Sequence, residues 1–403
     1  MAALVASSFA SLAGALTLTT ALGKQVYDLS HREIDLGFVG LAEFAPALLL
    51  ILVTGTIADR RSRKRISSIA MLGQAATCAA VWAYVAGDPT AVGPIFGIAF
   101  AFGVARAFAS PANRALIADV AGPERLSWLI PRRSAVVQTS FIVGPVLGGT
   151  LYAVDPAIPY VVATALFLLS SGLVAMVSVR AIQVEVTASP GSRLHDTLEG
   201  LRFIRHHQLL LGALSLDLFA VLFGGAVALL PAIAEERLHV GAVGYGWLRA
   251  ATGIGAAAVT LVLTRRPIRR RVGRVLLVAV AVFGAATMVL GATTSYVIAF
   301  VAVLVLSGAD ALSVFIRSTL VPLVTPGDMR GRVSAVEMVF IGATNELGAF
   351  ESGVTGQALG PAAAVAVGGA ATIGIAAVWW RSFPALRDVD GFPTATRTGS
   401  RSP

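Results

Sequence analysis

Apolar residues run through this chain in blocks of about twenty, each closed by a short polar or basic interval. Hydrocarbon is roughly 30 Å thick and a helix rises about 1.5 Å per residue, so a block of about 20 apolar residues makes one spanning helix. Five blocks are free of charge: Met1 to Gly23, Ile66 to Gly87, Ser134 to Val154, Pro156 to Val179 and Pro361 to Trp380. Four more carry one charge each: Leu36 to Ala58 with Glu43, Pro89 to Asn113 with Arg106, Gln208 to Ala234 with Asp217, and Leu238 to Thr264 with Arg249. Val275 to Ala309 is uncharged for 35 residues, and Gly291-Ala-Thr-Thr-Ser295 is a turn signal that divides it into two spans. The second of these continues into Asp310 and Arg317. Val333 to Gly360, with Glu337, Glu346 and Glu351 set into it, completes twelve. The pattern predicts an all-α integral membrane protein of twelve transmembrane helices.

Composition agrees: of 403 residues 56% are hydrophobic and 13% charged, about half the charge of a soluble domain. A soluble globular enzyme is excluded. The net charge of +9 raises the question of nucleic acid, which the placement of the basic residues answers. Five lie in Arg60 to Arg65, four in Arg114 to Arg133, four in Arg180 to Arg205, six in Arg265 to Arg274, three in Arg317 to Arg332 and four from Arg381 on. They recur at every second interval between spans instead of forming one patch, which is the positive-inside signature. Both termini are therefore expected in the cytoplasm and the protein in the plasma or inner membrane, with no nucleic-acid partner. Met1 to Gly23 lacks a basic leader and is followed by eleven further spans, so it reads as a first span and not as a signal peptide.

The longest polar interval, Arg180 to His207, divides the spans six and six. Arg114 precedes Pro123 by nine residues and Arg317 precedes Pro326 by nine, an offset of 203 in both cases. The arginine clusters after the second and eighth spans repeat at a similar offset. Two six-helix pseudo-repeat halves are predicted: residues 1–180, a cytoplasmic linker 181–207, residues 208–384, and a cytoplasmic tail 385–403.

Several motifs carry a family resemblance. Gly55-Thr-Ile-Ala-Asp59-Arg60-Arg61-Ser-Arg63-Lys-Arg65 resembles the loop signature between spans two and three of the major facilitator superfamily. Gly144-Pro145-Val-Leu-Gly148-Gly149 resembles the core of the motif of its proton-driven antiporters, with Ser140 where that pattern has glycine. Arg106 occupies a place like the family's buried arginine. Gln25-Val-Tyr-Asp28-Leu, Ser215-Leu-Asp217-Leu-Phe, Arg330-Gly-Arg-Val-Ser334 and Asn345-Glu346-Leu-Gly348 are similar to the drug:proton antiporters that include the enterobactin exporter branch. The resemblance covers essentially the whole chain. It implies the twelve-helix fold of that superfamily and transport by alternating access.

A charge at mid-membrane costs about 2.5 to 3.5 kcal/mol on insertion scales and persists where it meets a partner or a watery cavity. Arg106, Asp217, Asp310, Glu346 and Glu43 are the candidates for proton coupling or cargo binding. Asp217 reads equally as a protonatable group in the cavity or as a structural ion pair. Arg106 reads as a cargo or carboxylate partner or as a lock within the bundle, and Glu43 as a working charge or a solvated mouth residue. Coupling asks for a carboxylate whose proton affinity changes as the cavity opens to one side or the other. Gly55, Asp59, Arg60 and Arg63 form a candidate gating loop, with Asp59 directed at the positive end of a second-half helix near Val333. Gly144, Pro145, Gly148 and Gly149 permit close helix packing and a bend.

Other chemistries lack their parts. The one Gly-Lys pair, Gly23-Lys24, is followed by Gln25 and makes no phosphate loop. All five histidines map to loops or span ends, and Cys78 is the single cysteine, so no disulfide, metal site or cofactor is expected. The sequence reads as a monomeric proton-coupled exporter of small hydrophobic or amphipathic cargo, a drug or a siderophore. An importer or uniporter of a polar metabolite and a non-transporting membrane scaffold are the alternatives.

Overall fold

A computed structural model describes residues 1–60, 62–177 and 192–392, without the side chains of 51–53, 55–56, 58–60, 117–119, 121–127 and 192–197. Among these residues the fold is entirely helical. The first half consists of α1 (Ala2–Ser30), α2 (Glu33–Arg60), α3 (Arg63–Val85), α4 (Gly93–Val154) and α5 (Ile158–Ala175). A linker helix, α6 (Ser192–His206), leads to α7 (Gln208–Phe223), the one-turn α8 (Leu230–Ala232), α9 (Ala242–Arg265), α10 (Val272–Ala292), α11 (Tyr296–Val324), α12 (Arg330–Leu359), α13 (Pro361–Ser382) and the short α14 (Pro384–Arg387).

Local chemistry sets these boundaries. Ser62 caps α3, its hydroxyl accepting from the Arg65 amide at 3.4 Å. Pro361 opens α13 at a position where no amide donor is needed, and Gly360 stops α12 in a backbone conformation, φ +82°, that side chains avoid. The predicted Gly291–Ser295 turn falls between α10 and α11, where the Thr293 hydroxyl accepts from the Ser295 amide. Beyond α14, Asp390 accepts from the Arg271 amide at 3.2 Å and ties the chain to the start of α10. The neighbouring Arg387 guanidinium hydrogen-bonds Asp388 and holds its carboxyl below the usual range, though both are exposed and the pair adds little stability.

Two expectations are corrected. The fourth and fifth spans, read as separate blocks on either side of a basic interval, share one helix: the backbone stays helical from Gly93 to Val154, with membrane-length stretches Gly93–Leu116 and Trp128–Val154. The connecting residues, Ala115-Leu-Ile-Ala-Asp-Val-Ala121, are mostly good helix formers. The seventh span is not one continuous helix. Within Gln208–Arg237, α7 stops at Phe223, a 3₁₀ turn covers Ala226–Leu229, and a π turn covers Ile233–Arg237. The break sits at Gly224-Gly225, where a Cβ on Gly225 would stand 2.6 Å from both the Gly348 carbonyl and the Ser352 hydroxyl. Pro231 then withholds an amide donor from the turn that follows. Broken backbone of this kind persists at membrane depth only inside protein.

Large apolar side chains such as Leu49, Leu169, Val262 and Val297 point outward, as lipid contact demands. Between helices small and hydroxylic residues take over: Ser7 bonds Ser170, and Ser68 bonds Ser171. The two halves meet along two contacts, α2 against α12 and α4 against α9. Both are tightest at the end of the bundle remote from the termini. There Gly149 and Gly246 face each other so closely that a Cβ on Gly149 would lie 2.7 Å from the Gly246 Cα. Gly37 packs on the Phe350 backbone and Gly353 on the Glu33 carbonyl.

Replacing Gly149 with leucine must push α4 and α9 apart. We expect a loss of about 1–3 kcal/mol, read as a lower melting temperature of the detergent-solubilised protein, whereas leucine at Gly172, which has open space around it, should leave the melt unchanged.

Candidate functional site

Among the described residues, three clusters of ionisable side chains stand inside the bundle. The first lies on the seam between the halves. Gly103 of α4 packs on the α2 backbone at Glu43, a Cβ there falling 3.1 Å from the Glu43 Cα. One turn further along α4, the Arg106 guanidinium reaches Oε2 of Glu43 at 3.4 Å. The two ends of this pair live in different surroundings: the Arg106 side chain is 56% exposed, that of Glu43 only 9%. Glu43 is therefore not a solvated mouth residue. Glu346 arrives from α12, where Oε2 would stand 2.7 Å from a Cβ on Gly40, one turn before Glu43 on α2. It lies within electrostatic reach of both Glu43 and Arg106. Arg249 of α9 completes the group: its Nη1 donates to the Tyr245 hydroxyl at 3.1 Å, and it lies within electrostatic reach of Glu43.

The second cluster belongs to the second half alone. Arg317 of α11 is 3% exposed and bonds Oδ1 of Asp217 on α7 at 2.5 Å. Asp310, two turns earlier on α11, and Glu337 of α12 lie within electrostatic reach of the same guanidinium. This arrangement is the structural ion pair for Asp217, not an open charge. Among the described residues Arg317 is the one cation near these carboxylates, and α7 and α11 are tied through its pair with Asp217.

The third cluster closes the terminus-remote mouth. Lys24 of α1 pairs with Asp28 on its own helix and with Glu235 of the second half at 2.7 Å. Tyr27 donates to Glu236, and the Tyr152 hydroxyl donates to Oδ2 of Asp28 at 2.8 Å. The sequence pattern did not single out Lys24, Glu235, Glu236, Tyr152 or Arg317 as working residues. The only signal was that Lys24 and Arg237 depart from the arginine-rich intervals.

The glycine motif lies at a junction of both halves. The Thr17 hydroxyl of α1 donates to the Gly144 carbonyl at 3.1 Å, and a Cβ on Gly148 would be 2.8 Å from the Thr17 carbonyl. On the other side the Pro145 carbonyl and Gly149 border Gly246 of α9. Close backbone approach is thus what these four residues provide. Of the candidate gating loop, Gly55, Asp59 and Arg60 end α2 and Arg63 begins α3, but the side chains of the first three lie outside the described residues. Among the described residues no group of three His, Cys, Asp or Glu could hold a metal ion.

Removing one partner from a buried ion pair costs about 3–5 kcal/mol. Arg317→Met should do so, since it leaves Asp217 and Asp310 together without their cation; the yield of monodisperse protein after extraction should collapse. Arg106→Gln, at a half-exposed site with one long contact, should extract normally in the same assay.

The sequence profile described as Major Facilitator Superfamily matches residues 1–349. The chain is 27% identical over 304 residues to the uncharacterized MFS-type transporter YfiS of Bacillus subtilis (strain 168), covering 73% of this chain and 68% of that protein. It is 29% identical over 269 residues to the multidrug efflux pump Tap of Mycobacterium tuberculosis (strain ATCC 25618 / H37Rv), a match spanning 62% of each. Among solved structures, the nucleoside transporter NupG superposes with a TM-score of 0.71 at 14% identity, over 94% of this chain and 97% of that one, a likeness of fold alone. The chain belongs to the Major Facilitator Superfamily and is a multi-pass membrane transporter of small-molecule cargo, not an enzyme.

Proposed function

We propose that this transporter exports small hydrophobic or amphipathic molecules, drug-like or siderophore-like, in exchange for protons, with residues 1–180 and 208–384 rocking about the seam. The linker 181–207, the tail 385–403 and both termini are placed in the cytoplasm by the basic residues, and the membrane is the plasma or inner membrane. The observation that carries the reading is Arg106, a charge in the middle of a spanning helix with more than half of its side chain exposed and a carboxylate of the same half beside it. Such a charge is tolerated where it borders a water-filled cavity.

With the termini inside, the closed end of the bundle is the outer one, and the state seen here receives cargo from the cytoplasm. Protonation of Glu43 would release Arg106 from its one anionic partner, so that proton and cargo compete for the same small group of charges. Glu346 supplies the second half's carboxylate to that group. The relation to a multidrug efflux pump favours efflux, as does the glycine motif at Gly144–Gly149. Asp59, Arg60 and Arg63, following Gly55, are assigned the inner gate that would form when the outer end opens. The fold is shared with a nucleoside transporter, and import of a polar metabolite is the competing reading.

Cells overproducing the protein should accumulate less of some members of a panel of lipophilic dyes, antibiotics and iron chelators, and a protonophore should erase the difference. Arg106→Gln should abolish it at unchanged protein level. Uptake of nucleosides or sugars in proteoliposomes, with no dye or chelator exported, would favour the competing reading.

A further inference from the structure

We propose that the gap between α9 and α10, closed at the terminus end of the bundle by the loop Arg265 to Arg274, binds an anionic phospholipid, with its phosphate among the arginines and its acyl chains in the gap. Cargo and coupling ion play no part in this site.

Six arginines fall within ten residues here: Arg265, Arg266, Arg269, Arg270, Arg271 and Arg274. All six are exposed. α9 ends at Arg265 and α10 begins at Val272, and both helices are of membrane-spanning length, so the cluster stands at the depth of the lipid headgroups. The loop is fastened there. The Val272 and Gly273 amides, which have no acceptor within α10, donate to the carbonyls of Asp390 and Val389 at 3.2 and 3.0 Å. A Cβ on Gly273 would fall 1.7 Å from the Leu386 carbonyl, so the chain beyond α13 lies directly on the start of α10. Ile268 packs against the apolar cluster that holds Val272 and Leu386, which pins the middle of the loop to the bundle.

The carboxylates at hand are too few for these cations. Asp390 reaches Arg270 at 3.7 Å and Asp388 reaches Arg274 at 3.9 Å, both long contacts, and Asp388 is shared with Arg387. Among the described residues, Arg265, Arg266, Arg269 and Arg271 have no carboxylate partner. Like charges held this close repel, and more strongly beside a low-dielectric phase than in open water. A phosphate accepts from two guanidiniums at once, and a bilayer supplies phosphate at this depth.

Apolar surface continues from the arginines into the membrane. α9 and α10 each pack along α11 and scarcely touch one another, so that α11 floors a gap between them. On α9, Leu261 and Val262 are exposed one turn before Arg265 and Arg266. On α10, Val278 and Val282 are exposed one and two turns after Arg274. Phe315 of α11 is exposed toward the same end, with the Phe392 ring edge-on against it. Unmet cations above apolar walls suit a molecule with an anionic head and hydrocarbon chains, and not a free phosphate.

Binding can be read by native mass spectrometry of the delipidated full-length protein, titrated with phosphatidylglycerol or phosphatidylcholine. Phosphatidylglycerol should bind roughly tenfold tighter. Arg269→Gln should weaken it by about fivefold, the worth of one basic residue at an anionic surface, and the triple variant Arg265→Gln/Arg266→Gln/Arg269→Gln should lose the preference. All three side chains are exposed, so the triple variant should still extract as monodisperse protein. Arg132→Gln/Arg133→Gln, which removes exposed arginines of the first half, should keep the parent's preference. Glycerophosphoglycerol, the same headgroup without its chains, should not compete at equal concentration. Equal binding of the two lipids, a preference that survives in the triple variant or is lost in the first-half control, or competition by the free headgroup would overturn the proposal.

Discussion

An ionised side chain inside hydrocarbon must find an opposite charge or water, and that requirement organises this molecule more than any single packing contact. Glycines decide where it can be met. At Gly103 and Gly40 the α2 backbone is approached so closely that Glu43 and Glu346 are held at the same level of the bundle, with Arg106 beside them. A side chain at Gly103 would push α4 from α2 within the first half, and one at Gly40 would displace the Glu346 carboxyl at the seam, so either would disturb the spacing of the charges. Helix contact and charge placement are therefore one constraint.

The buried charges divide by which helices they join. Arg317 and its carboxylates lie within one half, and the pair with Asp217 is nearly sealed from solvent. Nothing in a rocking motion of the halves would separate Asp217 from Arg317, so the pair braces α7 against α11 despite the break at Gly224-Gly225. The charges on the seam are different in kind. Glu43 and Arg106 are bonded within the first half, and Glu346 and Arg249 stand within electrostatic reach of them from the second, so a change in the angle between the halves alters their energies. Lys24 shares this property at the mouth, where it links Asp28 of its own helix to Glu235 across the gap.

Helix count and limits were readable because lipid imposes a length on every apolar run. The turn at Gly291–Ser295 declared itself through residue type alone. The break in the seventh span did not: its apolar run is unbroken in character, and the glycines that permit the break matter because the α12 backbone lies against them. The continuous path through α4 was missed because a change in polarity between spans signals a change of solvent and not an end of helix. Candidate charges stood out for the same reason as the spans, being rare in apolar surroundings. Their pairing was not legible, since Asp217 and Arg317 are a hundred residues apart and join only when α7 and α11 pack.

The repeat gives these pairings a further logic. Arg60 and Arg265 mark corresponding loops at an offset of 205, and Glu43 and Arg249 are 206 apart on the helices that precede them. On the fourth and tenth spans, which repeat at an offset of 203, Arg106 falls opposite Ala309, the neighbour of Asp310. Within one residue of the repeat register, the two halves thus carry opposite charges at both places. Two like halves related by a pseudo-two-fold axis bring corresponding residues toward one another across that axis. Identical charges there would repel when the halves close, whereas opposite ones attract. Glu43 and Arg249, opposite in sign and within electrostatic reach of one another, therefore add attraction and not repulsion between the two halves.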